Sequence, residues 1–510
     1  MSTAKKFAKQ TAIYGLSTII TRSLFFILTP IYVGLLTARV YGIFTKMYSW
    51  SSLLTSVLSF GMETTFFRYI NKYQDKRSRV YSNSLIAVLF ICGLFLLAVW
   101  IFLRPISVWL SDNNPATIDD YVFYVKCLAA VLIVDAICVV PFALIRADNK
   151  PMRYALIKVL NIVLVVFLNL FFLYGVPLVI KHQMAGADWF LSWYRPHWVG
   201  YIFMVNCIAS VFTFMLLLPE LLRFRPQFDY KIFSEMIIYS WPILIANISY
   251  IINENIDKIM LGKLLPVSIN EQQVGIYGAC AKISLFLSLF VQAFRLGAEP
   301  FFFSHSKNQN AGETYAKIMN YFIIVVSVIF VGLVANIEIL KYFIKGHDKV
   351  QQEIYWSGLG VVPLLLFGYV SLGIYMNLSV WYKLSDQTKY GLYISGIGAI
   401  LTIVLNIIYI PKYSYMASAW ISLIAYSTMM VLSYIWGQKN YPIPYKFKKN
   451  ISYISASLVI VYISFSIFKR NLIVGNALLL GFVTVIFLIE KQDLMKLLKK
   501  NTQGKITEPI

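Results

Sequence analysis

Apolar residues run along this chain in long blocks separated by short polar turns, and each block is about long enough to cross a bilayer. A helix needs roughly 20 apolar residues to span the hydrocarbon. Within the blocks Leu, Ile, Phe and Val surround every face rather than one stripe, as in helices enclosed by lipid or by other helices. The pattern predicts about fourteen spans, at 11–36, 43–70, 81–103, 120–146, 155–180, 197–219, 233–262, 274–303, 313–344, 354–382, 389–410, 414–438, 449–468 and 472–490. Strand-length alternation is absent, which argues against a β-barrel. The expected fold is an all-α polytopic membrane protein. The longest connections fall near 104–119, 181–196, 220–232 and the tail 491–510, leaving no room for a soluble catalytic domain between spans.

The second and eighth spans share a pattern. Gly42-Ile43-Phe44 leads, one apolar run later, to Glu63-Thr64-Thr65-Phe66-Phe67, and Gly275-Ile276-Tyr277 leads to Glu299-Pro300-Phe301-Phe302-Phe303. Leu168-Asn169-Leu170 in span five and Leu405-Asn406-Ile407 in span eleven correspond at nearly the same offset. An even offset of six helices keeps both copies in one orientation, so the expected pseudo-twofold axis runs along the membrane normal. The domains expected from the repeat are an N-lobe over 1–232, a C-lobe over 233–440, two added helices over 441–490 and a basic tail over 491–510.

Composition agrees with the pattern. The chain is 59% hydrophobic and 13% charged over 510 residues, with a mean hydropathy of +0.69; a soluble domain carries about 25% charged residues. The start Met1-Ser2-Thr3-Ala4-Lys5-Lys6 puts basic residues before an apolar run, as a signal peptide does. No small-residue cleavage site follows and Arg22 interrupts the run, so a retained first span is expected. The net charge is +22. Lysines and arginines gather in the tail (Lys491, Lys496, Lys499, Lys500, Lys505), at Lys5, Lys6 and Lys9, at Lys72, Lys76, Arg77 and Arg79, and at Lys446, Lys448 and Lys449. Cytoplasmic loops carry that excess, which puts both termini inside. Basic charge dispersed over many short loops does not make a nucleic-acid surface. Cys92, Cys127, Cys138, Cys207 and Cys280 all fall within spans and read as packing residues rather than disulfides or a zinc site. No cofactor or metal is expected.

Charged side chains at membrane depth cost at least ~2.5–3.5 kcal/mol each on insertion scales, so they need a cavity or a partner. Those singled out are Arg22, Glu63, Lys126, Asp135, Glu254, Asp257, Lys258, Lys282, Arg295 and Glu299. Most lie on spans one, two, seven and eight, which suggests a central cavity with a cationic lining. Arg22, Arg295, Lys282 and Lys126 are the candidate cavity contacts for an anionic substrate, since a guanidinium grips phosphate in two-pronged fashion. For Arg295 a pair with Glu299 one turn on is the competing reading. Glu63, Glu254, Asp257 and Glu299 are the candidate ion-coupling carboxylates. Glu63 has Ser59 where Glu299 has Arg295, so it must find a distant cation or be protonated. Span seven gathers Asn247, Asn253, Glu254, Asn255, Asp257 and Lys258, a set suited to sodium or proton relay, or else an interfacial helix end with a Glu254–Lys258 pair. The aromatic stretch from Asp188 to Trp198 reads as an outer interfacial belt, with sugar stacking as the alternative. His305 and His347 need no role, and with no soluble pocket no hydrolase triad is supported. The chain is not expected to be an enzyme.

Several segments resemble a known family. Asp257-Lys258-Ile259-Met260-Leu261-Gly262 followed by Val274-Gly275-Ile276-Tyr277 and Lys282 is similar to a signature of bacterial polysaccharide exporters. So are Phe294-Arg295 through Glu299-Pro300-Phe301-Phe302, Leu405-Asn406 through Ile410-Pro411-Lys412, and Gly61 through Tyr69. These are the O-antigen repeat-unit flippases of the multidrug/oligosaccharidyl-lipid/polysaccharide superfamily, and the resemblance covers nearly the whole chain. It implies a flippase of the bacterial inner membrane that moves an undecaprenyl-diphosphate-linked oligosaccharide outward by alternating access, driven by H+, Na+ or membrane potential. Membrane lipids and polysaccharide polymerase or assembly proteins are the implied partners. At Tyr413-Ser414-Tyr415-Met416 relatives often have glycines, so helix packing there is expected to differ. A cation-coupled drug exporter of the same superfamily is the alternative; a membrane-embedded glycan polymerase or glycosyltransferase, which needs large loops, is the alternative of another class.

Overall fold

A computed structural model of the chain describes residues 26–305, 310–385 and 387–504. All the regular elements among them are helical. The first half runs through α1 (Phe26–Leu35), α2 (Ala38–Ser59), α3 (Met62–Lys72), α4 (Arg77–Leu110), α5 (Ile118–Ala147), α6 (Pro151–Leu170), α7 (Val176–Lys181), α8 (Ala187–Leu191), α9 (Gly200–Leu216) and α10 (Leu218–Leu221). The second half continues with α11 (Tyr230–Leu264), α12 (Asn270–His305), α13 (Ala311–Ala335), α14 (Ile337–Leu340), α15 (Lys349–Trp356), α16 (Val361–Leu378), α17 (Val380–Leu384), α18 (Lys389–Asn440), α19 (Phe447–Tyr462) and α20 (Leu472–Gly504). Ten helices are long and apolar enough to cross a membrane, and Phe26–Leu35 and Gly200–Leu216 are shorter apolar helices. Each span expected from the sequence has a helical counterpart among the described residues. The chain is a multi-pass, all-helical membrane protein.

Two breaks have local causes. Between α2 and α3 the chain turns through Phe60 (φ 47°) and Gly61 (φ 65°); Gly61 takes that left-handed conformation without Cβ strain, and a Cβ there would also stand 2.9 Å from Ile243 Cγ2. The 52-residue α18 kinks at Ser414 (φ 52°, ψ −140°), just after Pro411. This is the place where glycine was expected and serine stands. The serine holds a conformation that a side chain makes costly, with its hydroxyl on Gln273 Oε1 at 3.1 Å.

The helices form two compact units, one of Met1–Lys282, Ile344–Val361 and Thr388–Ala425, the other of Ile283–Phe343, Val362–Gln387 and Tyr426–Ile510. These units are not cut where the repeat-based division places its lobes. In the first unit Met62, Phe66, Val80 and Val88 pack with Leu132, Ala136, Val140 and Met236 in one buried cluster.

The repeat itself is visible in the first unit. A Cβ on Gly42 would fall on the Glu271 carbonyl, 2.6 Å from its carbon, and a Cβ on Gly275 would fall on the Ala38 carbonyl, 2.8 Å from its carbon and 2.9 Å from Gly42 N. Each glycine thus meets the residue one turn before the other. Gly278 likewise faces Thr45 at the same sequence offset. The contact is self-complementary, as a twofold axis requires, and α2 runs parallel to α12 there. The paired asparagines also behave alike. Asn169 donates to Val165 O (2.8 Å) and accepts from Tyr32 Oη (3.0 Å). Asn406 donates to Thr402 O (2.7 Å) and accepts from Ser418 Oγ (3.1 Å).

In the second unit Asn336 and Asn476 exchange amide hydrogen bonds at 3.1 Å. Buried Glu490 holds Lys449 Nζ and Tyr453 Oη, both at 2.6 Å. Phe302, Tyr315, Val380 and Ile443 form a small core that fixes the end of α12 beside α17.

Candidate functional site

The structure sorts the charged residues into separate groups. On α11, Asp257 is buried and accepts from Tyr277 Oη (2.6 Å), Lys258 N (2.8 Å) and Lys258 Nζ (3.1 Å). Lys258 Nζ also donates to the Glu254 carbonyl oxygen (2.9 Å), so the local bond recorded there goes to that residue's backbone, while the carboxylate it grips belongs to Asp257. Lys282, on α12, has Lys258 and Glu254 as its charged neighbours. Asn253 is tied down by Ser395 O (3.1 Å) and Thr402 Oγ1 (3.1 Å) of α18. The structure thus brings Glu254, Asp257 and Lys258 of α11 near Lys282 of α12.

Glu63 lies in the first turn of α3 and pairs with Arg146 from α5. That is the distant cation its sequence context called for. Arg146 also sits over the Phe67 ring at 4.8 Å. Further along the same part of the unit, Lys158 stands over the Phe142 ring at 4.2 Å with Asp135 and Glu63 as its acidic neighbours. Lys126 is not brought to these groups: it is exposed on α5, and no hydrogen bond or ion pair joins it to them among the described residues. Its periodicity gave no warning of this, because an all-round apolar helix does not declare which face is inward. Arg22 and the side chain of Glu299 lie outside the described residues. Arg295 is exposed on α12, in the second unit, where it lines a cleft with Phe294, Asn377 and Lys383.

The aromatic stretch packs mostly on itself. Tyr194 and Phe172 both stack with Tyr201, their ring centroids 5.1 and 5.6 Å away, and Arg195 and Trp198 both reach Asp120. His197 meets the Leu35 carbonyl at 2.8 Å, and His347 meets Asp348 at 2.9 Å.

A network that the sequence did not reveal closes one end of the first unit. Lys46 of α2 is completely buried; its ammonium donates to the Leu110 carbonyl at the C-terminus of α4 (2.9 Å) and lies 3.4 Å from Asp112 Oδ2 and 3.8 Å from Glu271 Oε1. Asp112 also accepts from Lys263 Nζ (2.6 Å) and Asn270 Nδ2 (2.9 Å). Glu271 also accepts from Arg39 Nε (2.9 Å) and Tyr121 Oη (2.7 Å). A buried ammonium is tolerable only with such partners, and helix C-terminal carbonyls supply part of the negative field. Burial opposes ionisation of Asp112, but Lys263 and Lys46 outweigh it and hold its carboxyl below the usual carboxylate range. The one available signal was a lysine a single turn after Gly42 inside an apolar block. At the opposite end of α11, Glu235 accepts from Lys72 Nζ (2.6 Å) and from Tyr73 Oη (2.9 Å) of the α3 end. The α2–α3 arm is therefore ion-paired across to the second half of the chain near both of its ends.

Comparison with known proteins bears on this arrangement. The chain is similar to an inward-closed structure of the lipid II flippase MurJ, at 13% identity over 94% of this chain and 99% of that one, with a TM-score of 0.71. It is also similar to an inward-facing multidrug resistance MATE family transporter of the MOP superfamily, at 14% identity over 84% and 97% of the two chains, TM-score 0.64. A MOP superfamily transporter from Pyrococcus furiosus matches at 13% identity over 84% and 95%, TM-score 0.52. At such identities these likenesses establish a shared fold and nothing more. No curated protein matches the sequence. The MatE family model matches residues 242–408, and the model described as "Polysaccharide biosynthesis protein" matches residues 7–304, more than half of the chain. On that match, and with the superfamily's fold around it, the protein belongs to the polysaccharide biosynthesis protein family.

Proposed function

We propose that this protein is a flippase for an undecaprenyl-diphosphate-linked oligosaccharide in the bacterial inner membrane, with both termini cytoplasmic. The observation that carries this reading is the division of labour among its membrane-depth charges. Glu63 is engaged by Arg146, and Asp257 by Tyr277 and Lys258. Two of the carboxylates that would receive a cationic drug are thus occupied by the protein's own donors, while Lys158, Lys258, Lys282, Arg295 and Lys383 put basic groups on the embedded helices. Basic groups at membrane depth suit a diphosphate, whose charge needs cations while its lipid tail stays in the bilayer.

In this reading, alternating access works through the two ion-paired ends of the α2–α3 arm. An outward opening has to break the Lys46–Asp112–Glu271–Lys263 set, and an inward opening the Lys72–Glu235 set, with one end closed while the other opens. The experiment is flipping of a labelled lipid-linked oligosaccharide in proteoliposomes containing the full chain, beside uptake of a cationic dye. Glycolipid flipping without dye transport is expected, with flipping lost in Arg295→Ala; dye transport without glycolipid flipping overturns the reading.

A further inference from the structure

We propose that Asn377, Lys383 and Arg295 form a seat for one phosphoryl group of the substrate, with Asn377 donating to an oxygen that enters the cleft; this rests on the flippase reading above. The seat is built by one helix pairing. A Cβ on Gly373 would stand 2.9 Å from Val291 Cγ2, so α16 lies close against α12 at that point. One turn further along both helices come Asn377 and Arg295, on the same faces as Gly373 and Val291. Further along still, Val380 packs with Phe302, and Ala298 joins the same cluster. The pairing is in register over the whole stretch, which brings Lys383 of the short α17 to the lining that Arg295 and Asn377 share.

Asn377 is the informative residue. It is only 7% exposed, and its Nδ2 is buried without a hydrogen-bond partner among the described residues. A buried amide donor left unmade is costly, so such a group on the wall of a cleft implies an acceptor that enters it. The inner cavity is about 20 Å³, room for one oxygen-sized group. A whole diphosphate does not fit; a single phosphoryl oxygen does, with the rest of the group on the open side beside the exposed Arg295. Lysine and arginine on the same lining make the incoming acceptor an anion. Phe294, tilted against Phe322 with ring centroids 4.5 Å apart, gives that side of the cleft an aromatic wall.

The test is equilibrium binding of radiolabelled undecaprenyl diphosphate and undecaprenol to the full-length protein in nanodiscs. The wild type should prefer the diphosphate. Asn377→Leu and Lys383→Gln should each weaken diphosphate binding roughly tenfold or more, as expected for a lost bond to a charged group, and leave undecaprenol binding unchanged. Lys383→Arg should retain most of it, which separates loss of charge from misfolding. If the wild type shows no preference for diphosphate over undecaprenol, the flippase reading fails. If it does and both variants bind diphosphate as tightly as wild type, the cleft holds an ordinary water and the seat is overturned while the flippase reading stands. Equal weakening for both ligands marks a packing effect and also overturns the seat.

Discussion

Gly42→Ala tests the parallel α2–α12 crossing most directly. The new Cβ would stand 2.6 Å from the Glu271 carbonyl carbon, with the carbonyl oxygen nearer still. An ordinary carbon–carbon contact is about 3.5–4.0 Å, so the helices must part by roughly 1 Å or more, and backbone on both sides leaves no flexible side chain to yield. Overpacking of this kind costs about 1–3 kcal/mol. The better helix propensity of alanine returns up to about 1 kcal/mol, so a net loss of about 1–2 kcal/mol is expected. Gly275→Ala meets the Ala38 carbonyl in the mirror arrangement and should cost a similar amount. Because the same parting relieves both clashes, the double variant should lose clearly less than the sum of the singles, a coupling that distant sites do not show. Gly93, whose Cβ position is open, is the control, and Gly93→Ala should be neutral or stabilising. Thermal unfolding of purified protein in one detergent gives the comparison. Unchanged stability in Gly42→Ala, or strict additivity of the two singles, would refute the crossing.

Ser414→Gly should raise the unfolding temperature, since it relieves a strained backbone position worth about 1–3 kcal/mol; a loss of stability would show that the Ser414–Gln273 bond outweighs the strain. Asp112→Asn should cost about 3 kcal/mol by stripping a buried ammonium of one of its counter-charges. The pH dependence has a defined sign. The folded Asp112 carboxyl ionises below its ordinary value, so its contribution is complete above the ordinary carboxylate pKa of about 4 and is lost as pH falls through the lower folded value. Denaturation profiles of the wild type should therefore be flat in this respect from neutral pH to about 5, and Asp112→Asn should lack part of the acid-side loss; a steeper loss in the variant counts against the assignment. Glu63→Gln and Arg146→Gln should each slow flipping, with the double variant no worse than either, while stability changes little because the pair is half exposed; normal flipping in both removes the pair from the transport cycle. Alkaline phosphatase fused after residue 504 should stay inactive if the tail is cytoplasmic, and periplasmic activity would reverse the orientation.

The helical spans, the internal repeat and the family resemblance were legible in the residues because each is a local or periodic property. Twenty apolar residues can cross a bilayer only as a helix or a closed barrel, and Gly-Ile-aromatic recurs whether or not its copies touch. The polar set Glu254, Asp257 and Lys258 was legible as a group, because its members lie within two turns of one span; that Lys282 stands near it is a tertiary fact. Tertiary structure decided which charges face one another. Lys46 meets Asp112 across 66 residues and Glu271 across more than 200, and Glu63 finds Arg146 on α5. No sequence spacing encodes such distances, since long-range partners are set by how helices cross and not by their own period. The close approach of Gly42 and Gly275 belongs to both levels. The sequence placed a glycine in each copy, and only the packing showed that each is small because the other stands against it.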